Sequence, residues 1–333
     1  MSYRRFDQDD IVVSADSITT PAWTNNLTTL STFFTSSTQE AANSGKYYYH
    51  VYNSSTAAQE IQFAIAYGNK VGSGSALYDT GENGKGYSST VYGQYRTLLN
   101  GDEDTDFTFI SGSETRSPNS VYFISLQRSR FKEKILPGTL SLKLQNSTTS
   151  LTLTDNSRSS STDTFTDAGR VYSIYSGSEG VVTSNAIEYG KLYPDVGIIA
   201  LDAALLDSSS VLQSLNETSG TSTTFTTLND NKRDLFFSIE SGSSFKLRAD
   251  ETLSSNFIFV RARNSEFNYS TNPSNITGSG ELRHSVMIDN PQGYITQVGL
   301  YNDSNDLLAV AKLSTPLLKD FTKEALVRIK LDY

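Results

Sequence analysis

The feature of this sequence that most limits its fold is a recurring run of residues in which apolar and polar side chains alternate. Ile61, Phe63, Ile65 and Tyr67 fall at every second position, as do Val327, Ile329, Leu331 and Tyr333. Successive side chains of an extended chain point to opposite sides, so a period of two marks a strand with one buried face. Further strand signals lie at residues 47–52, 107–110, 121–126, 140–144, 171–175, 187–189, 236–239, 245–247 and 257–260. They are rich in Tyr, Phe, Val and Ile, whose shapes suit a pleated, half-buried surface. Residues 294–301 and 307–313 flank a turn at 302–306 and read as a hairpin. Gly72-Ser-Gly74, Asn83-Gly84 and Pro137-Gly138 are turn signals.

Helices are few in this reading. Residues 90–99, with Val91, Tyr92 and Tyr95, fit either a strand or a short helix. Leu201, Leu205, Leu206, Leu212 and Leu215 recur near helical spacing and predict a helix over 200–215, broken at Ser208–Ser210. The expected fold is mainly β: an antiparallel sandwich or barrel-like body with an extended N-terminal arm and a smaller inserted α+β or β region. Its divisions are an arm over 1–45, β body over 46–145 and 235–333, and between them a Ser/Thr-rich insertion or second domain over 146–234.

The arm is polar and aperiodic, so it has little to bury by itself and reads as a tail or as a segment that orders on a partner. It carries Trp23, the one tryptophan of the chain. Two readings of Trp23 stand side by side: an anchor into another subunit, and a residue packed on its own domain.

Composition removes several function classes. The 333 residues include no cysteine and two histidines. That excludes a disulfide framework, a thiolate nucleophile and a Cys-based zinc site. The formal charge of −9 argues against a protein that works by neutralising phosphates, so no nucleic-acid partner is expected. Hydrophobic residues make up 37% and aromatic residues 11%, enough to fold. Ser and Thr together make up about a quarter of the chain, well above average usage. No apolar stretch has the length of a secretory signal or of a membrane span. The expectation is therefore synthesis in a cytoplasm, and the Asn-x-Ser/Thr triplets at Asn26, Asn53, Asn146, Asn216 and Asn275 read as composition.

Catalytic patterns are sparse. There is no Gly-x-Ser-x-Gly elbow, no His-Glu-x-x-His and no phosphate-binding Gly-x-x-x-x-Gly-Lys-Ser/Thr loop. A triad would need His50, which sits among tyrosines, or His284, which follows Arg283. The acidic stretch 102–106 is the best calcium candidate. It lacks the central glycine and distal glutamate of a helix-loop-helix site and reads instead as a solvated turn. No catalytic residue, cofactor or metal is assigned, and the chain is expected not to be an enzyme.

The basic stretch 128–134 is more suggestive. If extended, it sets Arg128, Arg130, Lys132 and Lys134 on one face and Phe131 on the other. Such a face suits an acidic neighbour, including another copy of this chain; in the equal alternative, the long stems shield a sheet edge. Trp23, Arg128, Arg130, Lys132 and Lys134 are the candidate subunit-contact residues.

Several segments resemble a known group of proteins. They are residues 7–12, residues 63–68 followed by Gly72-Ser-Gly74, Tyr92-Gly-Gln-Tyr-Arg96, residues 121–134 with Pro137-Gly138, and residues 294–312. Together they resemble virion structural proteins of contractile-tailed, T4-like phages of marine cyanobacteria. Val298-Gly-Leu-Tyr-Asn302, followed by Leu308-Ala-Val-Ala-Lys312, is similar to hairpins of phage tail and baseplate proteins. The resemblance covers both ends of the chain, weakens through the middle and carries no catalytic signature. It implies a non-enzymatic virion component in the tail or baseplate, assembling with other virion proteins and with copies of itself in a symmetric homo-oligomer. Alternatives are a tail-fibre adaptor or receptor- or glycan-binding protein, whose Tyr47, Tyr48, Tyr49, Tyr87, Tyr92 and Tyr95 would stack sugars, and a neck, collar or capsid-decorating protein. A glycosidase using paired carboxylates is a third class.

Overall fold

The computed structural model describes residues 4–36, 47–56, 59–75, 86–160, 164–213, 215–217 and 231–332. The fold is mainly β, 46% strand and 16% helix. Among the described residues the first ten strands are β1 (Ile11–Pro21), β2 (Thr29–Leu30), β3 (Tyr48–Tyr52), β4 (Ile61–Asn69), β5 (Phe109–Ser111), β6 (Glu114–Arg116), β7 (Ser120–Leu126), β8 (Lys134–Ile135), β9 (Ser141–Gln145) and β10 (Ser150–Asp155). The next ten are β11 (Thr164–Thr166), β12 (Gly169–Ser178), β13 (Val181–Ser184), β14 (Gly190–Tyr193), β15 (Ile198–Asp202), β16 (Phe245–Lys246), β17 (Arg248–Ala262), β18 (Gly293–Tyr301), β19 (Leu307–Lys319) and β20 (Ala325–Asp332). The helices are α1 (Tyr87–Asn100), α2 (Ala203–Ser208), α3 (Asn231–Gly242) and α4 (Val286–Asp289). No helix among the described residues is long and apolar enough to cross a membrane.

The chain divides into two compact units: Met1–Ser17 with Thr252–Tyr333, called the terminal unit below, and Ile18–Glu251, called the central unit. The central unit is a twelve-stranded antiparallel sheet curled into a half-barrel. Its order is β2-β16-β9-β10-β12-β14-β15-β7-β4-β3, with β11 and β13 on β12. Strands β15, β7 and β4 are adjacent in this order, next to β3 at one end, and are buried on both faces. Phe63, Ile65, Tyr122, Ile124, Ile199 and Leu201 enter one apolar cluster, while Ala66, Val121, Phe123, Ile198 and Ala200 enter the other. The first cluster also receives Ala203, Leu205 and Leu206 from α2 and Leu235, Phe236 and Ile239 from α3. The second receives Val91, Tyr92 and Leu99 from α1. The alternation at residues 61–67 thus marks a strand correctly, but helices cover both of its faces.

Glycines set how close two of these helices come. A Cβ at Gly68 of β4 would stand 3.0 Å from the Tyr92 backbone of α1 and 2.9 Å from the Phe123 ring. At Gly242, the last residue of α3, it would stand 1.9 Å from the Lys143 carbonyl of β9.

The structure corrects several sequence expectations. Residues 236–239 belong to α3, because Leu235, Phe236 and Ile239 share one helical face that four residues alone do not reveal. The helix over 200–215 shrinks to six residues. Pairing of Ile199 with Ile124 and Ala200 with Phe123 holds the preceding residues in β15, and Asp202 caps α2 by accepting from the Leu205 amide. Residues 187–189 contribute a single bridge, Ile187 with Ser111, before β14 begins. Residues 90–99 are helical. The turn signal at Asn83-Gly84 lies outside the described residues.

The domain division changes as well. Strands β10, β12, β14 and β15 sit between β9 and β7 in one sheet, so residues 146–234 are not an insertion beside it. Nor are residues 1–45 one arm. Residues 11–21 form β1, while Ala22, Trp23, Leu30 and Phe33 are buried in the central unit's main cluster.

Candidate assembly surface

The terminal unit is built from few strands. In it β17 is flanked by β1 on one side and β20 on the other. β20 is registered from Ser255–Asp332 to Ala262–Ala325. β18 and β19 form a separate two-stranded ribbon, with Asn302 and Asp306 closing its turn through a 2.7 Å bond from the Asp306 amide to the Asn302 side chain. The sheet and ribbon share a small core. Ile258, Leu300 and Ile329 are buried, and Val260, Val298, Ala309, Ala311, Val327 and Leu331 pack partly buried around them. The alternation at 327–331 therefore faces this core, as its pattern predicts.

What this unit exposes is out of proportion to what it buries. Sixteen of its described large apolar side chains are exposed, against seven in the much longer central unit. Val13 is 66% exposed on β1, Tyr294 66% on β18, Leu308 68% on β19 and Leu326 59% on β20. Ile11, Val12 and Val13 make an uninterrupted exposed aliphatic run on a strand at the end of its sheet. Natural edge strands usually carry a charge, a proline or a bulge at such a place, because unpaired backbone beside apolar side chains invites another strand. A two-stranded ribbon such as β18–β19 is itself marginal in water without support on its faces.

Polar groups in the unit serve its own structure. The fully buried Lys319 ammonium donates to the Asn268 side chain at 2.6 Å, the Asp320 carbonyl at 3.0 Å and the Asn264 carbonyl at 3.1 Å. All three of its protons are used, which fastens the loop after β17 to the end of β19. The Arg4 guanidinium donates to the Arg261 carbonyl and pairs with Glu266 at 3.6 Å. Arg4 and Arg261 also line an aromatic groove of about 1,090 Å³ beside β18, with Phe6, Phe267, Tyr269, Tyr294 and Tyr301 on its walls.

The residues singled out by sequence lie in the central unit and have internal roles. Trp23 is 2% exposed; its Nε1 donates to the Phe245 carbonyl at 2.8 Å, and its ring lies 4.8 Å from that of Phe245. Of the two readings of Trp23, the structure places it in its own core. The basic stretch is not one extended face, because Arg128–Arg130 is a 3-10 turn that carries Phe131 into the core. Arg128 lies over the Phe131 ring and donates to the Lys132 carbonyl at 2.7 Å. Arg130 pairs with Glu60 at 3.1 Å, Lys132 with Glu251 at 2.8 Å and Lys134 with Asp250 at 3.4 Å. The four cations are thus dealt to separate partners within the chain.

The remaining chemical candidates also resolve into local structure. Asp102 accepts from the Thr105 hydroxyl at 2.7 Å, from the Thr105 amide and from the Asp104 amide at 2.8 Å, and these bonds, in that order, hold its pKa below the usual carboxylate value. Asp106 turns away to Lys70 and Arg96. Among the described residues no group of three or more His, Asp or Glu side chains is placed to hold a metal ion. His50 lies between the rings of Tyr48 and Tyr52, 4.9 and 6.3 Å away, and burial pushes its pKa down. Burial pushes Asp202 up, although the Leu205 amide and Arg116 oppose the shift.

The tyrosines divide between core and cleft. Tyr92 is buried, and burial raises its pKa to about 12. Tyr95 stacks on Phe123 at 4.1 Å and hydrogen-bonds Ser125 at 2.7 Å. Tyr47, Tyr48 and Tyr95 line a cleft of about 360 Å³ with Gln94 and Ser125.

The signal that would have found the exposed surface from sequence was the Ile11-Val12-Val13 run, which stands out in an otherwise polar stretch. No protein-family model, curated protein or solved structure matches this chain.

Proposed function

We propose that this chain is a non-enzymatic structural subunit of a tailed-phage virion, located in the tail or baseplate. The observation that carries the structural role is the terminal unit, with three buried apolar residues in its core cluster and sixteen large apolar side chains exposed among the described residues. A unit of that kind gains most of its burial from neighbours, as a lattice subunit does. The phage setting rests on the sequence resemblance, whose residues 294–312 fall on the β18–β19 ribbon. In the central unit the candidate basic and acidic side chains are engaged in turns, caps and ion pairs, which supports a scaffold. Mass spectrometry of purified particles tests the reading: the chain is expected at a fixed copy number typical of a symmetric ring, and its absence from particles would overturn it.

A second reading, a glycan-binding virion protein, is favoured by the cleft of Tyr47, Tyr48 and Tyr95, because rings beside Gln and Ser groups suit a sugar. A glycan array with the wild type and a Tyr48→Ala variant decides it; no binding by the wild type removes this reading.

A further inference from the structure

We propose that the terminal unit self-associates head to tail, the β1 edge of one copy adding to the β20 edge of the next. The inference rests on the structural-subunit reading and names its partner as a second copy of this chain. Strands β1 and β20 are the two ends of the strand order around β17 in this unit, so each has a side without a strand partner among the described residues. The two edges carry opposite charge. Asp7, Asp9, Asp10 and Asp16 accompany β1, with no basic residue between Phe6 and Ser17. β20 carries exposed Arg328 and Lys330 with Asp332, which pairs with Lys330 at 2.9 Å, and Lys323 and Glu324 just before it cancel, so this edge keeps a net charge of +1 centred on Arg328.

An acidic edge cannot pair comfortably with its own copy, and neither can a basic one, so a two-fold β1–β1 or β20–β20 contact is disfavoured. The acidic edge against the basic edge is favoured, and a contact between two different surfaces of one protein builds rings or filaments. The exposed large apolar side chains of the unit are spread over β1, β18, β19, β20 and the loops beside them. Ile11, Val12 and Val13 on one edge and Leu326 on the other bring part of that surface to the seam. The unit as a whole holds ten basic and twelve acidic side chains and is close to neutral, so most of the chain's −9 charge falls outside it and does not oppose association there.

The test is charge exchange in the full chain, read as mass in solution by light scattering, with circular dichroism confirming that every variant is folded. One variant carries Asp9→Lys with Asp16→Lys, a second carries Arg328→Glu with Lys330→Glu, and a third carries all four. The wild type is expected to be oligomeric, the first two variants to be monomeric when alone and to associate when mixed, and the third to regain the oligomer. A two-fold contact through one edge would leave one of the first two variants associated, which overturns the proposal. Failure of the fourfold variant to reassemble also overturns it. A monomeric wild type overturns self-association while leaving the virion reading to the particle measurement, since the edges would then meet a different protein.

Discussion

Replacing Trp23 with alanine removes a ring that contacts both Phe63 and Phe245 and the donor to the Phe245 carbonyl. Truncation of a buried large aromatic costs roughly 3–5 kcal/mol, so Trp23→Ala should lower the midpoint of urea unfolding of the central unit, followed by circular dichroism. A small effect would mean that Trp23 is not a core residue. The same geometry changes how the N-terminal segment should be tested. Deleting residues 1–45 would strip Ala22, Trp23, Leu30 and Phe33 from the core and confuse unfolding with loss of assembly, whereas changes to Asp9 and Asp16 touch exposed positions. Trp23 was visible in the sequence as a residue of consequence. Its destination was not, because its partner Phe245 lies more than two hundred residues away.

Elements in this protein follow tertiary demand where local preference is weak. Helix α3 ends on Gly242, and on propensity alone alanine there would favour the helix by about 1 kcal/mol. Packing predicts the reverse. The added methyl would overlap the Lys143 carbonyl, which is backbone held in β9 and cannot step aside. Gly242→Ala is therefore expected to destabilise by roughly 1–3 kcal/mol, as overpacking does, measured by chemical denaturation; a stabilised variant would show that α3 docks differently. Strong period-two runs and the hairpin around 302–306 were legible because their own residues set both pattern and turn. Short apolar runs such as 236–239 were not, since four residues satisfy a strand and a helix face equally well. Leu201 likewise fitted a helical spacing, yet in β15 its backbone pairs with Tyr122 of β7.

For the whole molecule, the two units differ in how much each has to hold it together. The central unit has apolar clusters on both faces of its sheet, while the terminal unit has one small cluster. Local opening is easiest where buried apolar contact is scarce. Backbone amides of β18 and β19 are therefore expected to exchange with solvent at least ~10-fold faster than those of β4 and β7 in dilute protein. Raising the protein concentration should slow exchange in β1, β18, β19 and β20 if association completes the unit, because binding stabilises the form that binds. Equal protection in both units at low concentration would contradict this picture.

The sequence by itself determined that the chain is mainly β, that it carries no thiol chemistry, and where its strongest strands and its long hairpin lie. Those properties depend on composition and on the geometry of adjacent residues. The tertiary structure alone decided that the Ser/Thr-rich middle belongs to the main sheet, that Trp23 packs in its own core while the basic stretch pairs at the surface with partners of its own chain, and that the two ends of the sequence meet in a unit with little to bury. Each of these depends on pairings between residues far apart in the chain, and side-chain periodicity records which face of a strand is apolar but not which strand lies beside it.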